Sequence, residues 1–315
     1  MRLPCDHQSL KLAAAALKEG KLVSFPTETV YGLGADATND QAVASIYAAK
    51  GRPSFNPLIA HIASLDQAKE LAQFTPLADK IADHFWPGAV TIIVPLKANS
   101  PISKLVTAGL DTIALRIPAT DSARDLLSKA GVPIAAPSAN LSGGISPTLA
   151  SHVEADLGDK CAYILDDGPC DKWLESTIID CTKDKAFILR PGPVTIEALR
   201  DALPDCQISY VDVQNNETPT APGQLTSHYA PSKSMRLDAT DKKADEILIG
   251  FGEVANADFN LSPSGDLTEA AANLFAYLHE ADKAAGNIIA VSPLPQSGLG
   301  IAIYDRLKRA AADKG

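Results

Sequence analysis

Lys50-Gly51-Arg52-Pro53 is the feature that most restricts this chain. It sets two cations one residue apart, where mutual repulsion disfavours them unless an anion lies nearby, and Pro53 stiffens the loop beyond them. The surrounding stretch, Phe25 to His61, reads FPTETVYGLGADATNDQAVASIYAAKGRPSFNPLIAH. Its pattern is a strand ending in a proline turn, two closely spaced glycines, an amphipathic helix, the loop that carries the cations, and a second strand. Basic residues also suit the last turn of any helix, so the pair alone fits a solvated turn equally well. The neighbours narrow the choice. Thr27, Glu28, Thr29 and Tyr31 crowd polar groups around a Gly-bearing turn, and Asn56 and His61 come after Arg52 within one loop and strand.

Standard nucleotide fingerprints do not account for this density. The glycines of Tyr31-Gly32-Leu33-Gly34 begin a dinucleotide pattern, but Ala37 stands where its third glycine belongs. No G-x-x-x-x-G-K-[ST] occurs anywhere in the chain. A nucleotide would have to be held by another device.

At 315 residues the length prior is about two domains, large enough for a full core without disulfides or metals. No apolar run approaches the roughly 20 residues of a membrane span, and MRLPCDHQSL lacks the apolar core of a signal peptide, so a cytoplasmic location is expected. Five cysteines (Cys5, Cys161, Cys170, Cys181, Cys206) with no C-x-x-C spacing suit reduced thiols. The scattered histidines give no zinc pattern. The net charge of −10 divides evenly, with 19 basic against 24 acidic residues in 1–205 and 9 against 14 in 206–315. Because non-specific nucleic-acid affinity comes from neutralising phosphates, tight direct RNA binding is not expected. A small anion held by a few focused cations remains compatible.

Along the chain, helices are expected over His7–Glu19, Asn39–Ala49, Leu65–Ala72, Thr75–Phe85, Thr120–Ala130 and Ile196–Leu203, with another opened by Pro147 and Thr148. Strands are expected at Lys21–Phe25, Leu58–Ile62, Val90–Leu96, Thr112–Ile117 and Cys161–Leu165, and a hairpin over Ser176–Cys181 and Ala186–Arg190. Strands joined without long helices suggest a mixed sheet. Arg116 interrupts the apolar IALRIP; surface exposure by alternation is the default for it, with Thr112 on the same strand face. In VPIAAPSAN a buried strand delivers Ser138 and Asn140 beside Ser142, Gly143, Gly144 and Ser146, where backbone N–H groups can approach a phosphate. With the upstream loop this makes a Lys-x-Arg/Ser-x-Asn tetrad. Residues 204–234 read as a linker without periodicity, including Asn215-Asn216, Pro219, Pro222 and Gly223, and carrying His228 and Tyr229. Residues 235–315 read as a smaller α/β unit in which no chemical constellation stands out.

Five motifs together, FPTETVYGLG, KGRP with NPL behind it, PSAN, ESTIID and LRPG, resemble in order and spacing the YrdC-like family of threonylcarbamoyl-AMP synthases in its two-domain form. The resemblance implies an α/β fold: a YrdC-like twisted mixed open sheet flanked by helices over 1–203, a linker at 204–234 crossing the active-site mouth, and a C-terminal α/β (Rossmann-like) domain over 235–315. It implies formation of L-threonylcarbamoyl-AMP and pyrophosphate from ATP, L-threonine and bicarbonate, with the product passed to a tRNA threonylcarbamoyl transferase for modification beside the anticodon. On this resemblance Lys50, Arg52, Ser138 and Asn140 are the catalytic set. ATP falls to Lys50, Arg52, Asn56, Thr112, Ser138, Asn140, Ser146, Arg190 and Tyr229, and threonine to Thr29, His61, Arg116, Ala136 (through its backbone) and Ser176. Magnesium is expected with ATP, though no carboxylate in these motifs declares itself a ligand. Two rivals stand beside this reading: a non-catalytic RNA-binding module of the same fold, and an enzyme forming a carbamoyl-adenylate from another carbamate.

Overall fold

The computed structural model describes residues 1–171, 174–211 and 219–312. The chain opens with β1 (Arg2–Pro4), α1 (His7–Lys18), β2 (Val23–Phe25), β3 (Gly32–Asp36), α2 (Asp40–Lys50) and β4 (Ile59–His61). Then come α3 (Leu65–Leu71), α4 (Pro76–Phe85), β5 (Val90–Pro95), β6 (Thr112–Arg116), α5 (Asp121–Ala130) and β7 (Ile134–Ala135). The first domain continues through α6 (Ala150–Leu157), β8 (Tyr163–Asp166), β9 (Thr177–Asp180), β10 (Ala186–Arg190), α7 (Ile196–Ala202) and β11 (Ile208–Tyr210). The second comprises β12 (Ser234–Arg236), β13 (Glu246–Gly250), β14 (Phe259–Asn260), α8 (Leu267–Lys283), β15 (Ile288–Val291) and α9 (Leu299–Ala310).

Helix boundaries obey local chemistry. Asn39 accepts from the Gln41 and Ala42 amides at the start of α2, and Thr75 and Thr195 accept from Ala78 and Ala198 to start α4 and α7. Gly51 ends α2 in the left-handed region at φ 61°, a conformation that costs glycine little. That turn is what throws Arg52 away from the helix axis.

Among the described residues the first domain's sheet has eleven strands in the order β1-β8-β2-β3-β7-β4-β6-β5-β9-β10-β11, with parallel and antiparallel pairs mixed. Helices α2, α4, α6 and α7 contribute to one large apolar cluster, and α1 and α5 to another. The second domain has a parallel four-stranded sheet, β12-β15-β13-β14. Its core is continuous with the first domain, since Val30, Ile145 and Leu174 share a cluster with Phe275 and Ile303.

Three expectations change. The glycines of YGLG lie inside β3, not in a turn: a Cβ at Gly34 would stand 2.8 Å from the Phe25 ring and 2.9 Å from Ile134, so glycine there permits close packing. The expected linker begins with a strand, β11, paired in parallel with β10, so the first sheet extends to Tyr210. The helix expected at Pro147 starts at Ala150. The Asn215-Asn216 part of the linker lies outside the described residues.

Candidate active site

Strand register brings the polar residues together. His61 and Arg116 are register partners at the ends of the parallel strands β4 and β6. Ser176 precedes β9, and Arg190 ends the neighbouring β10. These side chains, with Thr29, Ala136, Ser138 and Arg52, line one cavity. Pro222, Gly223, His228 and Tyr229 of the linker close it from above. Linker residue Ala221 is fully buried on the same sheet face, against a cluster containing Ile59, Ala114 and Ile178.

Four buried arginines surround this space, and they differ in charge compensation. Arg116, expected by default on the surface, is 3% exposed. It donates to Glu28 at 2.6 Å, to the Thr29 hydroxyl at 2.9 Å and to the Gly88 carbonyl at 3.2 Å. Its strand ends in the cavity, where burial is tolerable because Glu28 balances the charge. Arg306, from α9, pairs with Glu175 at 2.9 Å. Arg52 and Arg190 have no carboxylate partner among the described residues. Arg52 donates to the Asn56 carbonyl at 3.2 Å and the Pro57 carbonyl at 2.9 Å. Arg190 donates to Ser176 alone, through the carbonyl and hydroxyl. A guanidinium has five N–H donors, so both retain unspent donors.

Electrostatics agree with that division. Burial brings Arg52 down to about 10 and also lowers Arg190. Burial, with Arg52 adding repulsion, holds the Lys50 ammonium well below its ordinary value. In each case burial outweighs whatever negative charge lies nearby. Burial, reinforced by Arg116, brings His61 down to about 3, and burial brings His228 to about 3, so both are neutral at pH 7. His61 Nδ1, His228 Nδ1 and the Tyr229 hydroxyl are buried without a hydrogen-bond partner, as groups awaiting a ligand would be.

Not every expected residue reaches the cavity wall. Lys50, Asn56, Thr112, Asn140 and Ser146 stand outside its lining. Lys50 is turned onto the Ser138 and Asn140 carbonyls, fastening the two loops of the tetrad to each other. Thr112 shares the face of Arg116 but lies four residues back on the strand, about 13 Å away at 3.3 Å per residue. Ser146 donates to Glu175 at 2.5 Å, while both polar side-chain atoms of buried Asn56 are unpartnered. Sequence reasoning gave no site role to Glu28, Glu175, Pro222 or Gly223. It also found no chemistry in the second domain, which Arg306 corrects.

The residues do not form a resident magnesium site. Glu175 is the one carboxylate lining the cavity among the described residues, and its oxygens are engaged by Ser146 and Arg306. Magnesium favours carboxylate and phosphate oxygens in a near-octahedral shell, which this wall does not offer.

Two family models divide the chain: one described as "Telomere recombination" (Sua5/YciO/YrdC) matches residues 15–192, and the "Threonylcarbamoyl-AMP synthase, C-terminal domain" model matches 194–312. The chain belongs to the threonylcarbamoyl-AMP synthase family. It is 39% identical to the threonylcarbamoyl-AMP synthase of Bacillus subtilis, over 99% of this chain and 95% of that one. Identity to the Pyrococcus abyssi synthase is 38%, over 97% and 95%. The crystal structure of P. abyssi Sua5 complexed with L-threonine superposes with a TM-score of 0.89 at 36% identity, covering 99% of this chain and 96% of that one. A second P. abyssi Sua5 structure carries alanines in place of an adjacent histidine–tyrosine pair (TM-score 0.88, 35% identity, 97% and 93% covered). The present family member has one such adjacent pair, His228-Tyr229.

Proposed function

We propose that this family member joins L-threonine, bicarbonate or carbon dioxide, and ATP into L-threonylcarbamoyl-AMP and pyrophosphate. The observation that carries the reading is the contrast within one cavity between compensated Arg116 and uncompensated Arg52 and Arg190. An amino acid brings one carboxylate, and Arg116, fixed by Glu28 and Thr29, keeps an unspent N–H on each terminal nitrogen for it. A nucleotide brings several negative charges, which Arg52 and Arg190 lack and Lys50 stands behind.

The threonine amine, beside His61 and Thr29, captures carbon dioxide as a carbamate and releases a proton to solvent. A carbamate oxygen then attacks the α-phosphorus. The new P–O bond forms as the bond to the β-phosphoryl oxygen breaks, and the electron pair leaves with pyrophosphate. Such a transfer needs alignment and charge neutralisation more than a strong base, which suits a wall of guanidiniums and hydroxyls. Magnesium travels with ATP as part of the substrate, held by phosphates and water. The mixed anhydride is passed to a tRNA threonylcarbamoyl transferase. Cytoplasmic residence suits that route and accords with the free cysteines; no helix among the described residues is long and apolar enough to cross a membrane.

Pyrophosphate release from ATP tests this directly. Release is expected only with both threonine and bicarbonate present; release indifferent to either one overturns the reading.

A further inference from the structure

The second domain touches the cavity through one charged side chain that never lines it. On α9 the buried positions Ile303, Arg306, Leu307 and Ala310 form one stripe, and Arg306 is 0% exposed. Its Nε donates to Glu175 Oε2 at 2.9 Å, its Nη2 to the Glu175 carbonyl at 3.4 Å, and its Nη1 to Asp305 at 2.9 Å. The other Glu175 oxygen accepts from Ser146 at 2.5 Å. The guanidinium carbon also stands 5.3 Å from the centre of the Tyr229 ring, within cation–π range. Glu175 and Tyr229 both line the cavity.

Tyr229 needs such support. Its φ is +64°, a region an aromatic residue occupies only when its surroundings enforce it. His228 packs against the ring at 4.0 Å, Phe275 of α8 at 5.7 Å, and Arg306 covers it from α9. Glu175 depends on the same contact. Burial alone would raise its carboxyl, but Arg306, Arg190 and the Ser146 hydroxyl outweigh that and hold it below the ordinary carboxylate value.

We propose that Arg306 is a positioning residue for the nucleotide: from the second domain it sets the Glu175 carboxylate and the Tyr229 ring into the cavity wall, and so makes nucleotide affinity depend on how that domain is seated. The proposal rests on the synthase reading only for the identity of the nucleotide. The threonine contacts at His61 and Arg116 have their own anchor in Glu28 and do not pass through Arg306; of the residues assigned to threonine, Ser176 alone adjoins Glu175.

The test uses the full-length chain as wild type, Arg306→Met, Arg306→Lys, and Arg306→Met combined with Glu175→Gln. It measures binding of a non-hydrolysable ATP analogue, KM for ATP and for L-threonine, and thermal stability. Arg306→Met is expected to weaken analogue binding and raise the KM for ATP by about tenfold or more, with the threonine KM within about twofold. Arg306→Lys, which keeps the charge but not the fork, should recover part of the loss. The double variant should be no worse than Arg306→Met, because Arg306 acts through Glu175. It also leaves no orphaned buried carboxylate, so it carries the test with Arg306→Lys if Arg306→Met does not fold. Lower melting temperature with analogue affinity unchanged in all folded variants, or equal losses for both substrates, overturns the proposal. A wild type that binds the analogue yet releases no threonine-dependent pyrophosphate refutes the synthase reading and leaves the binding comparison decisive for Arg306. A wild type that binds no nucleotide overturns both.

Discussion

The Lys50 ammonium donates to the Ser138 carbonyl at 2.6 Å across 88 residues of chain. It reaches the Asn140 carbonyl too, and the Ser142 amide returns a bond to the Lys50 carbonyl at 2.9 Å. The basic loop and the serine–asparagine loop are therefore one unit. Replacing the lysine by methionine keeps the buried stem but leaves two carbonyls without their donor. Lys50→Met is expected to cost about 1–3 kcal/mol of stability and to lose activity with it. Denaturant melts alongside pyrophosphate release measure both, and an unchanged midpoint would deny the staple role.

Arg52 and Arg116 should separate function from stability. Removing Arg52 takes away a buried charge that has only carbonyl partners. Arg52→Ala is expected to abolish adenylate formation, by about a hundredfold or more, with little change in melting temperature. Arg116→Ala strands Glu28 in the interior and should destabilise the fold by about 3–5 kcal/mol as well as weakening threonine binding. Full-rate turnover by Arg52→Ala removes its assigned role.

Acid should unfold this protein through its neutral histidines. His61 and His228 titrate near 3 in the folded chain, against 6.5 as the ordinary value. A base whose folded pKa is depressed leaves the protein most stable above the unfolded pKa, and that stability drains as pH falls from about 6.5 toward 3. The slope approaches about 1.4 kcal/mol per pH unit for each histidine. Urea midpoints at pH 7.5 and pH 5.0 report it; equal midpoints contradict the burial of these rings.

Gly223 offers a test of the linker without removing a charged group. Its φ is +84°, and a Cβ there would stand 2.9 Å from Arg190 Cδ and 3.0 Å from the Tyr229 hydroxyl. Gly223→Ala should push the linker off the cavity and lower kcat/KM for ATP by about ten- to a hundredfold. Its effect on the melting temperature should be small. Kinetics indistinguishable from wild type would mean the linker closes nothing.

Much of the frame is legible in the sequence because its signals are local. Asn39, Thr75 and Thr195 each precede an apolar stripe and each caps a helix, and the expected hairpin is the antiparallel pair β9 and β10. Strands of two or three residues, such as β1, β12 and β14, are too short to show alternation and leave no such signal. At the cavity, the two cation-bearing loops are visible as motifs; Glu28 and Glu175 also stand within motifs, FPTETVYGLG and ESTIID, but their roles are not legible because their partners Arg116 and Arg306 lie far off in sequence. Arg306 does leave a trace: an arginine at helical spacing on the stripe Ile303, Leu307 and Ala310 is a charge where a surface residue does not belong. IALRIP holds the same clue for Arg116, hidden by the rule that alternate strand residues face water.

The cover over the cavity is fastened on both sides. The Ala230 amide bonds to the Gly143 carbonyl at 2.7 Å, and Arg309 of α9 holds the Leu225 carbonyl at 2.7 Å. Clearing the cavity mouth would require at least one of these two bonds to break, which ties access to the contacts that α9 and the Gly143 loop make with the linker.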